Sequence, residues 1–270
     1  MSGVGFDEVR RFATLDSTNR YLLDQARQGV PEGVVAVADH QSAGRGRLGR
    51  TWESPAGSNL LASVLLRPVL PPAQLHLCTA AVALATADAC AAVAGVAPTL
   101  KWPNDLLVDE RKLAGVLAEV DPGAPGGPAG SVAVVVGVGV NVGWPGPPGA
   151  GGTSLLELTG RPVDRDALLD ALLGALADRR TGLGTEGGRR RLADEWRDSC
   201  GTLGCRVRVE LSDGWFEGTA ADLDEVGHLV VRTTAGLRAV LAGDVIHLRT
   251  EGPGPTTRGQ PGSRGSPGPN

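Results

Sequence analysis

The chain reads as an α/β (α+β) domain followed by a small β-barrel, and three observations carry that reading. β-Branched and apolar runs at Val34–Asp39, Asn59–Arg67 and Val132–Val142 alternate with amphipathic or Ala-rich helical segments up to about residue 200. After Gly201 the pattern changes to five short alternating segments split by Asp213-Gly214, Gly227 and Gly236, the punctuation of a small barrel. With 270 residues, 41% of them hydrophobic, the chain can bury one large core and one small one. The expected divisions are a large α/β domain over 1–200, a barrel over 201–250 and a disordered Gly/Pro/Ser tail over 251–270 with nothing apolar to bury.

Arg10–Asp16 reads as a short strand or lead-in. Asp16-Ser17-Thr18-Asn19 then offers N-cap chemistry before an amphipathic helix from Tyr21 to Gln28, with Gly29 just past its end. Capping explains one or two of these residues; three hydrogen-bonding side chains in a row could also read a polar ligand edge. After the strands at 34–39 and 59–67, Pro71-Pro72 opens a long helix from Ala73 to Ala94. Thr99–Trp102 is a strand stopped by Pro103, and Asp105–Val108 with Lys112–Val120 forms a hairpin around Asp109-Glu110-Arg111. Asp121–Gly130 and Gly143–Gly152 are Pro/Gly loops on either side of VAVVVGVGVNV, a strand buried on both faces. Gly137 and Gly139 mark either a bulge or a close approach of backbone or ligand, and Asn141 is the polar residue at that strand's end. Helices are expected over Asp164–Arg180 and Gly188–Cys200, the Arg189–Arg191 run being most simply a solvated face. The barrel strands are expected at Arg206–Leu211, Trp215–Leu223, His228–Thr233, Leu237–Leu241 and Val245–Arg249.

Composition narrows the function classes. Lys+Arg of 26 against Asp+Glu of 30 gives a net charge of −4, which argues against nucleic-acid binding driven by bulk charge. No basic segment followed by an apolar core opens the chain, and the apolar run Ala80–Ala97 is interrupted by Asp88, so neither a secretory leader nor a membrane span is expected. Cys78, Cys90, Cys200 and Cys205 have no C-x-x-C spacing and read as reduced thiols. Together these features predict a soluble cytoplasmic protein.

The stretch Gln41–Asn59, QSAGRGRLGRTWESPAGSN, alternates Gly44, Gly46 and Gly49 with Arg45, Arg47 and Arg50. Glycines let a backbone fold closely around a ligand, and guanidiniums supply forked donors for carboxylate or phosphate, so the loop reads as a clamp for a small anion. A dinucleotide fingerprint should open a helix, whereas Thr51, Trp52, Pro55 and Gly57 start none. A solvated basic loop is the plainer alternative. Lys101 and Lys112 are the sole lysines in the chain, and both lie in KWPNDLLVDERKLAG with Asn104 and Asp105 between them. The chain shows no G-x-S-x-G, H-E-x-x-H or Walker lysine, which suggests chemistry run by positioning and charge, as in transfer at phosphorus.

DSTN at 16–19, QSAGRGRLGRTWESPAGSNL at 41–60, KWPNDLLVDERKLAGVLAEV at 101–120 and GVGVNV at 137–142 resemble the biotin protein ligases, as does the GDVIHLR ending. The resemblance runs to about Arg249. It implies a mixed-sheet domain of the biotin/lipoate ligase type, followed by a Src-homology-3-like barrel. Because DSTN arrives by residue 16, it points to the ligase-only class without the N-terminal DNA-binding domain that some members carry, so DNA binding is not expected.

The implied activity is activation of biotin by ATP with Mg²⁺, then transfer of biotin to a lysine of a biotin carboxyl carrier domain, of acetyl-CoA carboxylase or a related carboxylase. By resemblance, Ser17, Thr18, Asn19 and Gln41 would read biotin's ureido ring, while Arg45, Gly46 and Arg47 would close over biotin and the adenylate. Lys112 would touch the biotin carboxyl oxygen and the phosphate as the principal catalytic residue, together with Arg47. Arg50 and Lys101 would hold phosphates, Trp52 would wall the adenine pocket and Asn141 would face the nucleotide. Asn104 and Asp105 would organise phosphate, magnesium or the incoming amine. A lipoate or octanoate ligase of the same fold is the nearest alternative, and a non-enzymatic adenylate or RNA-binding module a distant one. Whether the protein is a monomer or a homodimer is not written in the sequence.

Overall fold

A computed structural model describes residues 5–241 and 243–248. In chain order the elements are β1 (Glu8–Leu15), α1 (Thr18–Arg27), β2 (Val34–Gln41), β3 (Leu60–Leu66), α2 (His76–Ala94), β4 (Thr99–Lys101), β5 (Asp105–Val108), β6 (Arg111–Asp121) and β7 (Ala133–Val140). There follow α3 (Leu155–Thr159), α4 (Arg165–Leu183), α5 (Glu186–Asp198), β8 (Arg206–Leu211), β9 (Gly214–Leu223), β10 (Leu229–Thr233), β11 (Gly236–Val240) and β12 (Asp244–His247). The first seven strands form one mixed sheet in the order β1-β2-β3-β7-β6-β5-β4, in which the β1–β2 pair is parallel and the others antiparallel. The last five form a separate antiparallel sheet in the order β11-β10-β9-β8-β12, the small C-terminal domain expected from the turn spacing.

The elements depart from expectation mainly at their ends. Helix α1 starts at Thr18 rather than Tyr21, because Ser17 caps it and Thr18 and Asn19 are already helical. Asp164 caps α4 by accepting from the amides of Asp166 and Ala167, as its position before the helix implies. The short helix α3, capped by Ser154, was not read from the sequence, being too brief to show a periodicity. The tail expected over 251–270, like Arg249 at the end of the last barrel strand, lies outside the described residues.

Two faces of the large sheet are covered differently, and that difference makes the site. Leu60, Ala62, Val64 and Leu66 of β3 and Val134, Val136, Val138 and Val140 of β7 point toward α2 and α4, where the main core sits. Helix α2 is long and apolar enough to cross a membrane, but most of its apolar side chains are buried in that core. On the opposite face Leu65, Ala133 and Val135 pack under α1 with Leu22 and Ala26. Beyond α1 the same face continues as Ser63, Gly137 and Gly139, by the two-residue period of a strand. A hollow opens there.

Cys78, Cys90 and Cys200 are buried and Cys205 half-buried, all as free thiols. Burial pushes the Cys78 and Cys90 thiols up to about 12. Neither should therefore alkylate with iodoacetamide in the native protein near pH 8, whereas unfolding in guanidinium should expose both, a difference that intact mass resolves.

Candidate active site

The hollow has a floor of bare backbone. Register places Ser63, Gly137 and Leu117 side by side across β3, β7 and β6, with Leu61, Gly139 and Gly115 in the next row. No register shift interrupts either pairing at the glycines, so of the two readings of Gly137 and Gly139 close approach is the one observed. A methyl group at position 137 would lie 2.2 Å from Asn19 Oδ1, and one at 139 would lie 2.5 Å from the Trp52 indole.

At one end of the floor stands a set of neutral polar groups. Gln41 Oε1 accepts from the Thr18 amide at 2.8 Å and from Thr18 Oγ1 at 3.1 Å. Ser63 Oγ lies 2.7 Å from Thr18 Oγ1 and 2.6 Å from Asn19 Oδ1. Asn19 Nδ2 donates to the Leu117 carbonyl at 3.1 Å and to Glu119 Oε2 at 2.9 Å. Ser17, Thr18 and Asn19 are buried at the start of α1, where Ser17 caps the helix, and all three also line the hollow. These bonds leave the Gln41 amide nitrogen free to face a ligand.

Of the cations, Arg45 reaches back to the neutral set through Glu119, while Arg47, Arg50 and Lys112 bond other partners. The Arg/Gly loop curls back on itself: Gly44 and Trp52 pair through Trp52 N–H to Gly44 O at 3.0 Å, and Gly46 N–H donates to Arg50 O at 2.6 Å. A side chain at position 44 would lie 2.3 Å from the Trp52 carbonyl, and Gly49 has a φ of 74°, so two of the three glycines are required by the curl itself. Arg45 Nη2 bonds Glu119 Oε2 at 2.6 Å, Arg47 Nη1 bonds Asn104 Oδ1 at 3.2 Å, and Arg50 Nη2 bonds Asp244 Oδ1 in the small domain at 2.6 Å. Burial lowers the Arg47 pKa below its ordinary value, opposed by the negative charges of Asp244 and Asp105. Even lowered, a guanidinium keeps its charge at neutral pH.

Lys112 Nζ lies 2.7 Å from Asp105 Oδ1 and 5.3 Å from the Trp52 ring centre. That ammonium compensates the buried Asp105 Oδ1. Trp52 Nε1, by contrast, is buried without an acceptor. A buried N–H on a residue that lines the hollow is open to an acceptor placed there. Ser17, Thr18, Asn19, Gln41, Arg45, Gly46, Arg47, Arg50, Trp52, Asn104, Asp105 and Lys112 all line this cavity.

Two expected site residues stand elsewhere. Lys101 is outside the cavity, in adjoining clefts that it shares with Arg50 and Asp105. Asn141 was expected to face the nucleotide. It lines one of those clefts, but its amide is occupied: Nδ2 lies within hydrogen-bond distance of the carbonyls of Lys112 (3.2 Å), Pro145 (3.1 Å) and Thr153 (3.0 Å), and Oδ1 accepts from Asn59 at 3.4 Å. It is 4% exposed and serves here as a buckle that fixes the Lys112 backbone against the 143–153 loop. Sequence reading missed Ser63, Gly115 and Glu119. Counting in twos from Gly115 along β6, with Gly137 and Gly139 as the neighbouring floor, would have placed Gly115 and Glu119 on the cavity face.

The sequence matches the Biotin/lipoate A/B protein ligase family over residues 12–141 and the Biotin protein ligase C terminal domain over residues 202–248. It is 38% identical over 255 residues to a biotin–[acetyl-CoA-carboxylase] ligase of Mycobacterium tuberculosis, covering 92% of each chain. A protein of the same description from Paracoccus denitrificans is 36% identical, with 86% of this chain and 98% of that one covered. The solved biotin protein ligase from Aquifex aeolicus in complex with biotin and ATP superposes with a TM-score of 0.74 at 27% identity, covering 90% of this chain and all of that one. With both segment matches, two near full-length relatives and a shared two-domain fold, the chain belongs to the biotin protein ligase family.

Proposed function

We propose that this protein activates biotin with ATP and transfers it to a lysine of a biotin carboxyl carrier domain, that of acetyl-CoA carboxylase or a related carboxylase. The observation that carries the reading is one cavity lined by the neutral Thr18, Asn19 and Gln41 at one end and by Arg47, Arg50 and Lys112 away from them. Biotin has that polarity, a ring of amide donors and a carbonyl acceptor joined by an apolar arm to a carboxylate. Lipoate lacks the ring donors, and a site built to pair them rejects a ligand without them.

In the first step a biotin carboxylate oxygen attacks the α-phosphorus of ATP. The bond to the bridging oxygen breaks, and its electron pair leaves with pyrophosphate. Carboxylate and triphosphate repel, so the site must neutralise both; Lys112 lies where the two would meet, with Arg47 beside it. Arg50 and Lys101 hold the outer phosphates, and Trp52 offers an indole face to the adenine. In the second step the carrier amine attacks the acyl carbon and AMP departs with the anhydride electron pair. Asp105, paired with Lys112, is placed to take the amine proton; an Asp105→Asn variant should slow transfer more than adenylation.

The residues also fit magnesium carried in on ATP. No group of three candidate metal ligands occurs among the described residues, and Mg²⁺ needs only one or two carboxylates besides phosphate oxygens. Asp105, whose carboxylate lines the cavity, would hold it, and the ion would offset phosphate charge. Biotin-dependent ATP–pyrophosphate exchange tests the function. Exchange should appear with biotin and be absent with lipoate and octanoate; exchange with lipoate instead would reassign the substrate.

A further inference from the structure

We propose that Glu119 is a positioning residue that bars the adenylate's exit by holding Arg45 and Asn19 together. The inference rests on the ligase reading above. A carboxylate beside a site for two anions is electrostatically costly unless a cation compensates it, and Glu119 is so placed: its Oε2 accepts from Arg45 at 2.6 Å and from Asn19 at 2.9 Å. One oxygen thereby joins the Arg/Gly loop to the start of α1. Glu119 itself does not line the inner cavity. It lines a larger outer groove, together with Arg45, Gly46, Arg47 and Asn104. The clasp therefore stands between the two spaces.

Its chemistry suits a latch rather than a ligand. The Glu119 side chain is 24% exposed and that of Arg45 38%, so the pair is dry enough to hold and wet enough to open. Closing the loop orders Gly44, Gly46 and Gly49, and contacts such as this one offset that entropy. Asn19 gains as well: with Leu117 O and Glu119 taking its Nδ2, its Oδ1 is oriented toward Ser63 and the floor glycine Gly137.

The test compares wild-type protein with Glu119→Ala and Glu119→Gln. Labelled adenylate is formed in place from biotin and ATP, and its release is followed after a chase with unlabelled biotin and ATP. Glu119→Ala should release adenylate about three- to tenfold faster, the range of one charge-assisted contact at a half-exposed site. Glu119→Gln should fall between, since its carbonyl oxygen can still accept from Arg45 and Asn19 but carries no negative charge. Adding Arg45→Ala to Glu119→Ala should accelerate release no further than Arg45→Ala alone, because the two act as one contact. Unchanged or slower release in Glu119→Ala, with a native thermal midpoint, would overturn the proposal, as would additive effects in the double variant. If Glu119→Ala does not fold, Glu119→Gln decides by the same readout. Wild-type protein that shows no biotin-dependent exchange would remove the ligase reading and this inference with it; exchange with unaltered release removes the inference alone.

Discussion

Lys112→Ala should lower kcat/KM for biotin-dependent pyrophosphate exchange by about a hundredfold while leaving the thermal midpoint nearly unchanged. The lysine's main chain is clamped on both sides: its amide donates to Gly151 O at 3.0 Å, and its carbonyl accepts from Thr153 N at 2.9 Å and Asn141 Nδ2 at 3.2 Å. None of those bonds involves the side chain. The ammonium contributes only a 2.7 Å charge pair with Asp105, and at 36% and 23% side-chain exposure such a pair is worth about 1 kcal/mol or less to stability. In the proposed reaction the same ammonium would face charge developing between carboxylate and phosphorus. Losing one preorganised charged donor there costs about 3 kcal/mol, or roughly two decades in rate. The deletion also leaves Asp105 unpaired beside the incoming phosphates, which adds repulsion. Lys112→Arg should not restore the rate, because a longer planar fork cannot occupy the point between Asp105 and Trp52. A Lys112→Ala rate within threefold of wild type would remove Lys112 from the mechanism.

Much of this architecture was legible in the chain, for identifiable reasons. Long strands and helices carry their own periodicity, so the β3, β7, α2 and α4 segments could be placed to within a few residues, and tight turns marked the small domain. Twelve of the fourteen named site residues line one cavity because the motifs that carry them converge there. Glu119, Ser63 and Asp244 were not legible as partners of the site, since each meets it through tertiary contact rather than local pattern. Glu119 pairs with Arg45 seventy-four positions away, and Asp244 reaches Arg50 from the other domain. Asn141 shows the converse limit. A lone polar residue at the end of an apolar strand signals importance, but the sequence does not reveal whether it faces a ligand or the backbone, and here its amide is committed to carbonyls and Asn59.

The floor glycines give a second large effect, and a separable one. Gly137→Ala should raise KM for biotin, whereas Gly139→Ala should raise KM for ATP, each by about one to two decades. At position 137 the new methyl would sit 2.2 Å from Asn19 Oδ1 and 3.2 Å from Ser63 Oγ. Asn19 is 4% exposed and bonded to Leu117, Glu119 and Ser63, so it cannot retreat without surrendering the polar set that faces the ring. At position 139 the methyl would sit 2.5 to 2.8 Å from three atoms of the Trp52 indole. Trp52 is anchored by its backbone to Gly44, so its ring must swing off the floor, and the adenine wall proposed for it would go with it. Overpacking of this kind costs about 1 to 3 kcal/mol. Both methyl groups project into the cavity rather than the core, since the core side of β7 is formed by Val136, Val138 and Val140, so secondary structure by circular dichroism should survive in each variant. If both substitutions raised the same KM, or both unfolded the protein, the floor would not be divided between ring and nucleotide. A clean exchange of the two phenotypes would place biotin where the nucleotide is drawn here, and would reverse the direction in which the cavity is read.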